Sequence, residues 1–163
     1  MRGLVLEGGA MRAGFAAGAL MALMDKKLAD FDAAAAVSAS VPTLAYFAAG
    51  QRKEMEKIWR DELTSPKLVC YQNIPATSLA LSVKRPILNV DRLVYEIFQK
   101  RYPFNSPALL ANKISCRFSA TTVPEGKQIF FNPTESDIYD VIRACLAVPG
   151  CYPAPISING REY

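Results

Sequence analysis

The stretch that decides the fold is Ala-Ala-Ala-Ala-Val-Ser-Ala-Ser-Val-Pro, residues 33–42. Ala33–Val37 reads as a short strand and Val41–Ala49, closed by Gly50, as a helix. Ser38 falls at the turn between them, with Ala36 and Ser40 two residues away on either side. A serine on a sharp strand-to-helix turn is how many hydrolases present a nucleophile, usually between glycines that leave room for strand and helix to meet. Ala36 and Ser40 are the smallest departures from glycine, so the turn survives on steric grounds. On this crowding argument, glycine at either position is expected to keep or raise activity. Pro42 suits the first helical turn, where its missing N–H breaks no bond. Taken alone, a serine after an alanine-rich strand is more often structural than catalytic.

A second turn lies upstream. Gly3–Glu7 is a short apolar run bounded by glycines, the pattern of a buried strand, and Ala13–Lys27 is rich in the helix formers Ala, Leu and Met. Between them, Gly8-Gly9-Ala10-Met11-Arg12 presents backbone N–H groups at the positive end of a helix, which suits a phosphate or a developing oxyanion. The spacing matches neither G-x-G-x-x-G nor a P-loop, and no lysine follows to reach a phosphate. In a parallel sheet both turns emerge at the C-terminal edge of the strands, where open α/β sheets bind ligands. One would supply the nucleophile and the other the oxyanion hole.

Composition narrows the chemistry. The 163 residues, 51% hydrophobic and 21% charged, suit one globular domain with a proper core. A net charge of +4 without a basic cluster gives no nucleic-acid footprint. There is no histidine, so Ser-His-Asp and Cys-His machinery are excluded and any serine nucleophile needs a different base. Cys70, Cys116, Cys145 and Cys151 lack C-x-x-C spacing and read as small side chains in a reducing compartment. Met1-Arg2 and the apolar run Ala13–Met24 superficially look like a signal peptide. Glu7, Arg12 and the Gly8-Gly9 turn break that pattern, and the expected location is cytoplasmic.

Further along, Arg52–Leu63 and Val90–Arg101 read as amphipathic helices whose Met and aromatic stripes are core. Lys113–Val123 and Gln128–Phe131 alternate like strands across the Pro124-Glu125-Gly126 turn. Ser136 is expected to cap a helix running to about Ala147, and Asn159-Gly160 to turn a hairpin. Thr64–Pro86, with apolar Ile74, Leu79, Leu81 and Val83, reads as a loop or cap. Alternating strands and helices predict an α/β sheet, largely parallel, with helices on both faces.

At these two turns the chain resembles the patatin-like phospholipases. Gly8-Gly9-Ala10-Met11-Arg12 looks like their G-G-G-x-R-G oxyanion motif, and Ala36–Ser40 lies where their G-x-S-x-G falls. Ile142–Tyr163 is similar to the approach to their Asp-Gly-Gly/Ala motif. The resemblance spans both ends of the chain, and residues 64–110 add little to it. It implies a three-layer α/β/α patatin-like fold with a largely parallel central sheet. It implies one domain over residues 1–163, incomplete at its C-terminus. Ser38 is the implied catalytic nucleophile of a Ser-Asp dyad, and Gly8, Gly9, Ala10 and Arg12 form the implied oxyanion hole, with no metal and no cofactor. Arg12 is open to two readings, added positive charge at the hole or a salt bridge bracing the loop.

The departures are specific. Ala10, Ala13, Ala36 and Ser40 replace family glycines, and no aspartate is followed by glycine. The dyad aspartate is therefore expected beyond Tyr163, on the same chain or on a second polypeptide. Asp30, Asp32, Asp137 and Asp140 are not assigned as the base. The implied partners are a phospholipid or other acyl-ester substrate, with peripheral membrane contact compatible with the mild positive charge, and no nucleic acid. The apolar 64–86 region would form part of an acyl channel. Two other readings stand beside this one: a patatin-fold protein without catalysis that binds lipid or a partner, and an unrelated α/β nucleotide-binding module.

Overall fold

Gly3–Leu6 forms β1, and the sheet grows from it by two parallel steps. The computed structural model describes residues 1–64, 68–70, 73, 86–134 and 136–163. After β1 come α1 (Ala13–Asp25), β2 (Ala33–Val37), α2 (Ser40–Ala48), α3 (Arg52–Lys57) and α4 (Arg92–Arg101). They are followed by α5 (Ser106–Ala111), β3 (Ser115–Thr121), β4 (Gln128–Phe131), α6 (Ile138–Leu146), β5 (Ser157–Ile158) and β6 (Arg161–Glu162). The main sheet has the order β1-β2-β3-β4, parallel except for β4, while β5 and β6 form a separate antiparallel hairpin. This is the expected α/β class, a mostly parallel sheet flanked by helices.

Four alanines have poor strand propensity, so β2 owes its conformation to its neighbours. It lies between β1 and β3 and hydrogen-bonds to both. Its alternate side chains, Ala34 and Ala36, are buried, and Ala36 stands opposite both Leu6 and Phe118. Small side chains there let α2 pack closely against the sheet, and every residue of α2 is buried. With strand order advancing in one direction, right-handed crossovers carry both parallel connections over the same face. That face holds Leu6, Ala34, Ala36, Cys116, Phe118 and Ala120, all buried, whereas the opposite face carries the exposed Val5 and Phe130.

Helix ends follow local chemistry, with some differences from expectation. Gly50, at φ +72°, closes α2 as expected: its N–H donates to Phe47 O, and that of Gln51 to Tyr46 O. The cap of α6 is Asp137 rather than Ser136, its carboxylate accepting from the Tyr139 N–H at 2.8 Å. The short α5 has no counterpart in the sequence pattern, because six residues are too few to show a period; the Asn105 side chain caps it. Past Lys57 the third helix continues with π-type hydrogen bonds over Ile58–Glu62, and α4 has the same character. Buried Glu62 joins the two, accepting from Arg101 Nη1 at 2.6 and 2.8 Å. Asn159 and Gly160 both take positive φ, which matches the twist of the β5–β6 hairpin. Ile74, Leu79, Leu81 and Val83 lie outside the described residues.

The close packing around β2 is testable. Ala36→Val inserts two methyl groups between Leu6 and Phe118, and overpacking of this kind costs about 1–3 kcal/mol. The melting temperature is expected to fall by several degrees in a thermal unfolding measurement. An unchanged Tm would show that the strand has room to spare.

Candidate active site

The parallel register sets Leu6 opposite Ala36, so β1 and β2 end level and their following turns lie side by side. Ser38 is the first residue past β2 and takes φ +54°, left-handed backbone that a non-glycine residue adopts at a cost of about 1–2 kcal/mol. Ala10, in the neighbouring turn, takes φ +49°. Strained residues of this sort persist where the surroundings over-determine them, and they cluster at functional sites. The Ser38 carbonyl accepts from the Val41 N–H at 2.9 Å, which locks the serine turn onto α2.

The two turns touch. A Cβ placed on Gly8 would stand 3.2 Å from the Ser38 Cβ and 3.6 Å from the Val37 carbonyl oxygen. The Ser38 side chain stands where a side chain at position 8 would reach, so glycine fits there without displacing it. The Ser40 hydroxyl, fully buried, donates to the Glu7 carbonyl at 2.7 Å and joins the two turns directly. On crowding grounds alone that hydroxyl is only excess volume, and its bond to Glu7 corrects that view. Likewise the Ala36 methyl is part of the sheet's buried face rather than an intrusion into the turn.

Among the described residues, the amides of Gly8, Gly9 and Ala10 donate to no acceptor, and the Ser38 hydroxyl has no hydrogen-bond partner. Arg12 closes the short 3-10 turn Ala10–Arg12, its N–H donating to Gly9 O at 3.0 Å. Its side chain folds back over Gly9, where a Cβ would lie 3.5 Å from the Arg12 Nε, and it makes no ion pair among the described residues. Of its two readings, added positive charge beside the turn is the one this geometry fits. All five site residues inferred from sequence, Ser38, Gly8, Gly9, Ala10 and Arg12, thus fall in or beside one pair of abutting turns.

Two hollows border these turns. Ser38 lines an open cleft of about 560 Å³ whose walls include Ser119, Thr121, Cys145, Tyr152 and Tyr163. On the other side of the turns, Ala10, Met11 and Ala39 border a smaller apolar cavity of about 100 Å³, closed by Tyr46, Trp59 and Phe98. Leu68 and Val69, from the segment expected to shape an acyl channel, also line it. The aromatic stripe thus serves as cavity wall as well as core, two roles that a helical period alone does not distinguish. Ser119, Thr121 and Tyr152 carry no signal in the sequence, since they reach the cleft from distant strands and loops.

Among the described residues, no aspartate or glutamate lines the Ser38 cleft. The four aspartates weighed from the sequence are engaged elsewhere: Asp30 and Asp32 with Arg2, Asp137 at its helix cap, and Asp140 with Arg143 at 3.1 Å. Arg143 also binds Asp91 at 3.0 Å, and the Tyr152 hydroxyl donates to the same carboxylate at 2.8 Å. Burial opposes the Arg143 charge, but its hydrogen bonds with Tyr152 and Asp140 outweigh that and hold the guanidinium protonated. This network fixes Tyr152, and with it one wall of the cleft. Burial pushes the Cys145 thiol up to about 12, so it stays neutral at ordinary pH and does not compete as a nucleophile.

The sequence model of the Patatin family, described as patatin-like phospholipase, matches residues 4–163. The chain belongs to the patatin-like phospholipase family. No curated protein matches it. Family membership carries the class of activity, lipid acyl hydrolysis, and leaves the assignment of individual residues to the geometry of the two turns.

A pair of glycine substitutions separates contact from conformation in this patatin-like chain. Gly8→Ala is expected to slow the reaction of Ser38 with an organophosphonate ester by tenfold or more, because the new Cβ pushes on the Ser38 Cβ. Gly18, in the middle of α1 with nothing within 4 Å of the methyl that alanine would add, is the control. Gly18→Ala should leave labelling unchanged and stabilise the fold by about 0.5–1 kcal/mol. Equal labelling in both variants would separate Gly8 from the reactive turn.

Proposed function

We propose that this chain is a serine lipid acyl hydrolase in which Ser38 is the nucleophile and the amides of Gly9 and Ala10 hold the oxyanion, with Gly8 and Arg12 completing that turn. The observation that carries this is the contact of the two turns: a serine in strained backbone beside a glycine turn whose N–H groups are unengaged. The apolar cavity bordered by Ala10 and Ala39 suits an acyl chain, and the wider, more polar cleft suits the remainder of a phospholipid or other acyl ester.

In the reaction, Ser38 Oγ attacks the ester carbonyl carbon and its proton passes to a carboxylate. The carbonyl π electrons move onto oxygen, where backbone N–H groups and the Arg12 charge stabilise them. Collapse of the tetrahedral intermediate breaks the C–O bond, and the departing alcohol takes the proton from the carboxylic acid. Water then attacks the acyl-enzyme with the same carboxylate as base, releasing the fatty acid and restoring Ser38. A carboxylate is a weaker base than imidazole, so it requires a desolvated setting that raises its pKa toward working pH. No carboxylate lines the described cleft, whereas Tyr163 does. The base is accordingly proposed to be an aspartate of the family's Asp-Gly motif, a motif that residues 1–163 do not contain.

The same lack of a carboxylate favours a second reading, a patatin-fold protein that binds lipid or a partner without turnover. An organophosphonate ester separates the two. Covalent labelling of Ser38, found by peptide mass spectrometry and abolished in Ser38→Ala, is expected. Labelling that persists in Ser38→Ala would remove this serine from the mechanism.

Turnover tests the base independently. Residues 1–163 alone are expected to hydrolyse acyl esters negligibly, and supplying the Asp-Gly segment is expected to restore hydrolysis. Changing that aspartate to asparagine should remove it again. Turnover by residues 1–163 alone, lost in Ser38→Ala, would put the base inside this chain and overturn the assignment.

A further inference from the structure

Building on the reading of Ser38 as nucleophile, we propose that Ser40 is a positioning residue whose hydroxyl holds the oxyanion turn against the nucleophile turn. The β1–β2 ladder ends at the pair Leu6–Ala36, and past that point the two chains are free to separate. Among the described residues, the bond from Ser40 Oγ to the Glu7 carbonyl is the one side-chain hydrogen bond between the two turns. It is 2.7 Å long, ordinary for a hydroxyl donor, and the Ser40 side chain is fully buried, so water does not compete for it.

Its position in the chain gives this bond its leverage. Ser40 is two residues past Ser38, and Glu7 immediately precedes Gly8. The bond therefore closes a small loop that runs from the nucleophile through Ser40 and Glu7 to Gly8, which rests on the Ser38 Cβ. Both sides of the loop contain left-handed non-glycine residues, Ser38 and Ala10, that relax unless held. Oxyanion donors act only within about 2.7–3.1 Å of the developing charge, so slack of a few tenths of an ångström at this joint degrades them. A serine at 40 thus does what glycine there cannot: it adds a fastener between the turns.

Crowding and the fastener make opposite predictions for Ser40→Gly. If crowding alone mattered, Ser40→Gly would react at least as fast as the native protein. If the bond positions the turn, Ser40→Gly and Ser40→Ala both lose reactivity, with Ser40→Cys, a weak donor of similar shape, between them and the native protein. The measurement is the rate of Ser38 phosphonylation as a function of probe concentration, well below each variant's melting temperature. The maximal rate is expected to fall tenfold or more in Ser40→Ala and Ser40→Gly, with the half-saturating probe concentration changed by less than twofold. A merely structural role would lower stability without that split.

Amide hydrogen exchange gives a readout that needs no nucleophile. The Arg12 and Val41 amides, which donate within the two turns to Gly9 O and Ser38 O, should exchange at least tenfold faster in Ser40→Ala, with the β2 and β3 amides unaffected. A native protein whose Ser38 is not labelled would defeat the hydrolase reading, and exchange would still decide the fastener. Maximal rates within twofold of native in Ser40→Ala and Ser40→Gly, or unchanged exchange at the Arg12 and Val41 amides, would overturn the proposal.

Discussion

The contact between Gly8 and Ser38 is the constraint on which the candidate site depends. Parallel pairing sets strands about 4.8 Å apart, and a register that ends both strands level brings their turns within van der Waals reach. At that separation a side chain at position 8 and a nucleophile at 38 compete for the same space, and glycine resolves the competition. The two turns of the candidate site are thus placed side by side by one register.

The core serves this edge from below. α2 begins at Ser40, two residues past Ser38, and its complete burial makes the second half of the nucleophile turn rigid. The alanine strand allows that helix to lie close, and Phe118 and Leu6 clamp Ala36 from either side in the sheet. Polar groups are arranged differently around the cleft. Arg143 gathers Asp91, Asp140 and Tyr152, with the Tyr95 ring under its guanidinium at 4.9 Å to the ring centre. Its charges are spent on one another, which braces the wall near Ser38 and leaves the hydroxyl without a partner from that side.

The two hollows differ in polarity. The small cavity beside Ala10 and Ala39 is walled by Tyr46, Trp59 and Phe98, and the polar atoms of the first two are already engaged. Tyr46 donates to the Tyr102 carbonyl at 2.6 Å and Trp59 Nε1 to Thr43 Oγ1 at 3.2 Å. The surface facing the cavity is therefore apolar and desolvates at little cost.

Much of this was legible in the sequence, because it depends on local signals. Glycines after an apolar run, a serine after alanines, Gly50 past a helix and Asn159-Gly160 in a hairpin each reflect a backbone requirement that neighbouring residues state by themselves. The zero count of histidine means that none of these 163 residues supplies an imidazole. Other features were hidden for physical reasons. The capping role of Asp137 over Ser136 depends on where the chain enters α6, and the cavity-facing side of Trp59 follows the same helical period as a core residue. The role of Ser40 depends on Glu7, 33 residues away, through a bond that exists only because β1 and β2 pair in one register. The sequence by itself pointed to the two turns that form the candidate site. The tertiary structure decided how they are held together, since a hydrogen bond between distant segments is set by register, and register is a property of the assembled sheet.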